Sequence, residues 1–190
     1  MGGEGQLQVG LTLIELMVVI AMVAIVLAIG IPEYQNFTRS NTLLAEVHTL
    51  KGDIALARSE AATTGSNVVI CPSGDPTSAN PSCSGTNQWN TGWVVMAPTN
   101  SSCSDTSGAP FKVQGAFSSQ NTVEFSPSSN APTSLCFNRN GLPATSTTAN
   151  TLSGMFVFNT PDNNADDRLC LAINGTGHMN ILANGQSGCS

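Results

Sequence analysis

The chain has 190 residues and a formal net charge of -6; 41% of its residues are hydrophobic and only 9% are charged. This length suits one ordinary domain plus an additional element, and so few charges are unusual for a soluble domain. The six Lys and Arg residues are scattered singly, with no basic stripe that could release counterions from nucleic acid. Composition therefore argues against a general nucleic-acid-binding protein.

The first predicted element is the apolar run from Leu11 to Ile31, interrupted only by Thr12, Glu15 and Gly30. A helix of about 20 apolar residues can cross a bilayer. A cleaved secretory signal peptide and a plain single-span anchor are the simplest alternatives. The preceding residues 1–9 contain no Lys or Arg, and the run is longer than the apolar region of a usual signal peptide. Neither alternative explains Glu15, because a carboxylate inside a membrane is costly without a partner.

The chain reads GLTLIEL from Gly10, and an apolar stretch and Pro32 follow. This pattern resembles the class III signal of type IV pilins and type II secretion pseudopilins. The resemblance implies that prepilin peptidase cuts after Gly10 and that Leu11 becomes an N-methylated N-terminus. Glu15 would be the fifth residue of the processed chain, and Pro32 lies where this family commonly has a proline. In a filament, the new α-amine would pair with Glu15 of an adjacent subunit. Such a pair stabilises two charges that would each be costly alone, and it fixes the register between helices.

The helical pattern continues from Glu33 to Thr64, where apolar residues recur at alternating steps of four and three. This apolar stripe consists of Leu43, Val47, Leu50, Ile54, Ala57 and Ala61. It predicts an amphipathic helix that packs on a sheet or on neighbouring helices. Pro32 is expected to kink or locally open the helix, and Gly65 is a suitable stop.

Beyond Gly65 the helical period is replaced by short β-rich runs between loops of Ser, Asn, Gly and Pro. The predicted strands are Val68–Ile70, Trp93–Met96, Thr122–Phe125, Leu135–Phe137, Met155–Phe158, Leu169–Ile173 and Met179–Leu182. The predicted fold class is α+β, with one long N-terminal helix packed on a small antiparallel β domain stapled by disulfides. The expected segments are a leader at 1–10, a transmembrane and polymerisation helix at 11–31, an amphipathic half at 32–65, and a periplasmic β-rich domain at 66–190.

The cysteine pattern predicts disulfides rather than a metal site. The six cysteines are Cys71, Cys83, Cys103, Cys136, Cys170 and Cys189. None lies in a Cys-x-x-Cys pair and there are only two histidines, so no metal or other cofactor is predicted. An even number of cysteines after an export segment is typical of an oxidising compartment. Sequence does not determine the connectivity; our working assignment pairs Cys71 with Cys83, Cys136 with Cys170, and Cys103 with Cys189.

Two further motifs narrow the resemblance. The late helix reads LARSEA from Leu56, and a predicted strand is followed by the sequence WNTGW from Trp89. This arrangement resembles the FimT/FimU and GspH group of minor pilins over roughly residues 10–97. Within it, Arg58 and Glu60 are expected on a solvated helix face, and Trp89 and Trp93 are expected in the core.

Some members of this group bind DNA, and the resemblance would then require arginines around a C-terminal Gly-Arg-x-Arg hairpin. The matching stretch here is Gly177-His178-Met179-Asn180, which has neither arginine. His178 is the only candidate phosphate contact in it. DNA binding is therefore kept as a disfavoured alternative.

The segment Asp162–Asp167 has oxygen ligands at alternate positions, as a calcium loop does. It lacks the glycine and the final glutamate of an EF-hand, because Asp167 and Ile173 occupy those positions. A looser calcium site is kept as an alternative, and a polar hairpin loop is the favoured interpretation.

No nucleophile elbow, metalloprotease helix or phosphate-binding glycine loop is present, so the chain is predicted not to be an enzyme. The resemblance implies a minor type IV pilin that helps initiate or cap pilus assembly. Its implied partners are other major and minor pilins, prepilin peptidase and the inner-membrane assembly platform. Its implied location is the bacterial inner membrane, with a periplasmic domain, and then the tip of a pilus or pseudopilus. The alternatives are a GspH-like minor pseudopilin of type II secretion and a DNA-binding minor pilin for natural transformation.

Overall fold

The computed structural model describes residues 10, 12–100, 102–128, 133–144 and 152–189. The chain divides into two compact units, with the boundary between Arg39 and Ser40. Residues 1–9 of the expected leader and the expected new N-terminus, Leu11, lie outside the described residues.

The long predicted helix is present as α1, Leu13–Thr64. Thr12 caps its N-terminus: the backbone N–H of Glu15 donates to Thr12 Oγ1 at 3.3 Å. A side-chain oxygen at this position satisfies a helix donor that has no partner within the helix. The helix ends before Gly65, whose φ of +66° is a left-handed conformation that glycine adopts without steric cost. The predicted stop is therefore confirmed.

The C-terminal half of α1 packs on the β domain through the predicted apolar stripe, and all six stripe residues are fully buried. Two carboxylates lie on the same face, because Glu46 and Asp53 each precede a stripe residue. Glu46 accepts hydrogen bonds from Ser119 Oγ and, at 2.8 Å, from Asn121 Nδ2. Asp53 accepts one from Trp93 Nε1 at 2.9 Å. These bonds satisfy the buried carboxylates and fix the helix against the sheets.

The described residues of the β domain form nine strands in two antiparallel sheets. The strands are β1 (Val68–Pro72), β2 (Trp93–Met96), β3 (Pro110–Gln114), β4 (Thr122–Pro127), β5 (Leu135–Phe137), β6 (Pro143–Ala144), β7 (Gly154–Asn159), β8 (Leu169–Ile173) and β9 (Met179–Ala183). The first sheet has the order β3-β2-β1-β5-β6, and the second has the order β4-β7-β8-β9. All seven predicted strands are present. The two missed strands, β3 and β6, both begin with proline and lie at sheet edges, where a missing N–H is tolerated.

Strands β1, β2 and β5 of the first sheet are buried on both faces, whereas the edge strand β3 is partly exposed. Alternate residues such as Val68, Ile70 and Trp93 face the core that α1 and the second sheet complete. Their neighbours, including Val69 and Val94, face a second apolar cluster that also contains Cys71, Cys103 and Cys136. Burial on both faces explains why β1 and β2 consist of apolar residues throughout rather than alternating with polar ones.

All six cysteines form disulfides. One of the three pairs predicted from the sequence is confirmed, and the other two are wrong. Cys71–Cys83 is confirmed, with a Cα–Cα distance of 5.5 Å. The other disulfides are Cys103–Cys136 and Cys170–Cys189. The assignment of Cys136 to Cys170 was wrong because β5 and β8 belong to different sheets. The assignment of Cys103 to Cys189 was wrong because the turn after β9 returns Cys189 to β8, whereas Cys103 lies beside β5 on the outer face of the first sheet.

The loop that carries Cys103 is organised around Asp105. Its carboxylate accepts hydrogen bonds from the Ser107 hydroxyl, the Asn100 N–H, the Thr99 hydroxyl and the Ser107 N–H. These donors, the Ser107 hydroxyl foremost, hold the pKa of Asp105 far below its ordinary value of 3.8.

A pH-dependent contribution to stability follows from this lowered pKa. The contribution should be fully present above pH 3.8 and lost as the pH falls through the lower folded-state pKa. We expect Asp105→Asn to lower the unfolding midpoint at pH 7, by an amount that shrinks below about pH 4. Thermal unfolding of the wild type and the variant between pH 7 and about pH 3 measures this difference in midpoint. Asp75→Asn is the control for loss of an exposed turn carboxylate. A pH-independent difference would contradict the expected role.

Candidate functional site

The N-terminal part of α1 exposes apolar side chains on every side. From Leu13 to Ile31, the large hydrophobic residues are 45–76% exposed. This is a helix long and apolar enough to cross a membrane, with a mean hydropathy of 2.9 over its most apolar window. In water such a surface would be unfavourable, so the segment requires lipid or other helices around it.

Glu15 lies in the first turn of this exposed segment. Its backbone N–H is capped by Thr12, whereas its carboxylate makes no hydrogen bond or ion pair with any residue that the structure describes. The helix N-terminus favours a negative charge by only about 0.3–1 kcal/mol. That is much less than the cost of removing a carboxylate from water, so burial of an ionised Glu15 without a partner charge would be unfavourable.

Gly10 and Pro32 are the other described residues that are expected to act in processing and assembly. Gly10 is exposed and precedes the helix. Pro32 lies inside α1, which stays helical through it, so the expected local opening does not occur. Because proline has no N–H, the carbonyl of Ala28 loses its usual helical partner.

Arg58 joins α1 to both sheets. Its Nη1 donates a hydrogen bond to the Gly177 carbonyl, in the turn between β8 and β9, at 3.1 Å. Its Cγ lies 3.4 Å from the position that a Cβ on Gly141 would take, in the turn between β5 and β6. The expectation of a solvated helix face was therefore wrong for Arg58, which is half-buried between two turns. Glu60, expected on the same solvated face, is also half-buried.

His178 is exposed beside this contact, at the mouth of a cavity of about 520 Å³. The lining residues, here called the cationic pocket, are Lys51, Arg58, Thr176, Gly177, His178 and Met179. Lys51 and Arg58 lie two turns apart on one side of α1, and no carboxylate lines the cavity. Of these residues, sequence reasoning proposed only His178 as a functional contact and placed Arg58 on a solvated helix face. The seven-residue spacing of Lys51 and Arg58 on a helix was the signal that it missed.

Arg58→Ala is expected to destabilise the β domain by about 1–2 kcal/mol, because it removes a partly buried hydrogen bond and the packing of the aliphatic stem. Chemical unfolding of the full-length chain in detergent micelles measures this. Arg139→Ala removes an exposed turn cation and should change stability by less than about 0.5 kcal/mol. Equal effects of the two substitutions would show that the contact with Gly177 contributes nothing.

The two tryptophans of the WNTGW sequence are buried in the core, as expected. Trp89 begins a short 3-10 turn and packs edge-on against Phe156. Gly92 follows with a φ of +105°, and a Cβ there would lie 2.4 Å from the Gln114 carbonyl oxygen. Only glycine fits at this close approach, which places Trp93 at the start of β2.

An exposed apolar helix that continues into a disulfide-stapled antiparallel β domain defines a membrane-anchored subunit of the pilin class. The chain belongs to the GspH family: the family model described as Type II transport protein GspH matches residues 46–177. The predicted α+β fold and the suspected family are thus confirmed. Members of this family are structural subunits, which agrees with the prediction that the chain is not an enzyme.

Two solved structures share the fold, and one curated relative matches a short segment of the chain. The minor pilin FimU of Pseudomonas aeruginosa PAO1 has a similar fold, with a TM-score of 0.55 and 19% identity, over 81% of this chain and 99% of FimU. The minor pseudopilin EpsH of the Vibrio cholerae type 2 secretion system has a TM-score of 0.51 and 12% identity, over 75% of this chain and 97% of EpsH. Prepilin peptidase-dependent protein D of Escherichia coli K12 is 57% identical over 42 residues, which are 22% of this chain and 29% of that protein.

Proposed function

We propose that this chain is a minor type IV pilin that prepilin peptidase matures between Gly10 and Leu11 and that helps to initiate or cap a pilus. The observation that carries the proposal is the carboxylate of Glu15, which has no partner among the described residues and lies in the first turn of a helix whose segment from Leu13 to Ile31 is apolar and exposed. A plain membrane anchor has no need of a charge at that depth.

Assembly follows from the same physical features. Cleavage after Gly10 would create an α-amine that pairs with Glu15 of an adjacent subunit. The apolar segment of α1 would then pack against the corresponding helices of other pilins, while the β domain would supply a surface specific to this subunit. Before assembly the helix would hold the chain in the inner membrane, with the β domain in the periplasm and the assembly platform as its partner. After assembly the subunit would lie at the filament tip.

Deletion of the gene tests this proposal. We expect fewer surface pili, restoration by the intact gene, and recovery of the processed chain in sheared pili. The full-length chain with Gly10→Val serves as the matched control, because it keeps the helix and the β domain while blocking cleavage. Normal piliation without the gene, together with absence of the chain from pili, would contradict the proposal.

A pseudopilin of type II secretion is the second candidate, and the GspH family model is the observation that favours it. It would use the same maturation and the same helix, so the β domain decides between the two. If deletion left piliation unchanged and stopped export of secreted proteins across the outer membrane, the secretion role would replace the pilus role.

A further inference from the structure

We propose that the cationic pocket is a docking site for a carboxylate-bearing turn of a neighbouring filament subunit. This inference rests on the proposed role in filament assembly and assigns a contact to the β domain. It is carried by the convergence of three side chains that are distant in sequence: Lys51 and Arg58 from α1, and His178 from the turn between β8 and β9.

The pocket has hydrogen-bond donors to offer. One guanidinium nitrogen of Arg58 is held by the Gly177 carbonyl, which fixes the orientation of the group and leaves its other N–H donors available. Lys51 and the His178 ring make no hydrogen bond or ion pair with a described residue. The Thr176 hydroxyl already donates to Asn174 Oδ1 at 2.7 Å. A carboxylate that enters the cavity would therefore contact the oriented guanidinium of Arg58 and the ammonium of Lys51.

This concentration of cations is unusual in a chain with a net charge of -6. Among the other cations of the β domain, Lys112 Nζ lies 3.8 Å from Asp53 Oδ1 and Arg168 Nε donates to Asn159 Oδ1 at 2.6 Å, whereas Arg139 is a single exposed cation in a turn. Lys51 has no carboxylate partner among the described residues, although the protein has twice as many acidic as basic residues. The neutralising group is therefore expected from another molecule.

The chain itself carries the complementary chemistry. The turn before β8 contains Asp162, Asp166 and Asp167, and the cationic pocket lies at the other end of β8. Five residues of strand separate the two ends by about 17 Å. Opposite charges at opposite ends of one strand suit heterologous head-to-tail contacts, in which the acidic turn of one subunit meets the cationic pocket of its neighbour.

A polyanion such as DNA fits these observations less well. Nucleic-acid binding depends on several phosphate contacts along a basic surface, and the net charge of this chain is unfavourable for it. A short acidic turn, in contrast, can bind at a single local cluster of cations such as the cationic pocket. The acidic turn of a pilin subunit is accordingly the occupant that the charges favour.

Binding of an acidic peptide to the full-length chain in detergent micelles tests the proposal. The probe is a fluorescent peptide of residues 160–169, compared with the same peptide carrying Asn in place of its three Asp residues. Fluorescence anisotropy at low ionic strength should show binding of the acidic peptide only. Lys51→Glu should weaken it by roughly fivefold or more, and Arg139→Glu, an equal charge change outside the pocket lining, by less than about twofold.

Absence of binding to the acidic peptide, or equal weakening by the two substitutions, would overturn the proposal. A duplex DNA oligonucleotide that displaces the peptide and depends on Lys51 would overturn it as well, by assigning the pocket to phosphates. Far-UV circular dichroism on both variants controls for folding. The assay needs no pili, so it is independent of the deletion experiment. If the chain is found in pili and does not bind the peptide, only the docking role of the pocket is contradicted. If the chain binds the peptide and is absent from pili, only the pilus role is contradicted.

Discussion

Glu15→Ala is expected to leave cleavage after Gly10 intact and to reduce the amount of the chain in assembled filaments by at least about tenfold. In the filament the α-amine of a neighbouring subunit would lose its partner, and an uncompensated buried charge costs about 3–5 kcal/mol. Immunoblots of membranes and of sheared filaments measure processing and assembly separately.

Glu33→Ala is the matched control for this substitution. It removes the same charge from an exposed position on the same helix, just beyond the apolar segment. Filament content should stay close to that of the wild type. If Glu15→Ala entered filaments normally, or if Glu33→Ala failed equally, pairing of Glu15 with a neighbouring amine would be wrong.

Trp93→Ala is expected to destabilise the β domain by about 3–5 kcal/mol through loss of a large core side chain. About 1.5–3 kcal/mol of this loss comes from the hydrogen bond that Trp93 Nε1 donates to the buried Asp53 carboxylate. A loss of this size is a large fraction of the stability of an ordinary domain. Far-UV circular dichroism during chemical unfolding is the appropriate measurement, because the substitution itself alters the tryptophan fluorescence.

Trp93→Phe removes the donor and keeps a smaller aromatic ring in the core. We expect a destabilisation of about 1.5–3 kcal/mol, from loss of the hydrogen bond and of part of the ring volume. A Phe variant as stable as the wild type would show that Asp53 does not depend on this donor. An Ala variant within about 1 kcal/mol of the wild type would contradict the central position of Trp93 in the core.

The helix and most of the strands could be predicted because their signals are local. The stripe from Leu43 to Ala61 repeats at helical spacing, and all of its members are buried. A left-handed glycine ends the helix at the predicted place. Strand β6 could not be predicted, because two residues contain no periodicity to recognise.

The partition of strands between two sheets is not a local property, which is why two disulfides were assigned wrongly. Cys136 and Cys170 both lie on predicted strands, and only the sheet order shows that these strands do not meet. The pocket was missed for a similar reason: Arg58 and Gly177 are separated by 119 residues, and their contact exists only once the turn between β8 and β9 lies beside α1. Burial of Glu46 and Asp53 could not be predicted, because the side chains that satisfy these carboxylates are distant in the sequence.

Intact-mass and N-terminal analysis of the chain purified from its native membrane tests the pilin pathway most directly. The account predicts loss of residues Met1–Gly10 and a methylated amine on Leu11. An uncut N-terminus would indicate a plain anchor, and cleavage near Ala28 would indicate an ordinary signal peptide. Either result would contradict maturation and assembly through the N-terminal helix.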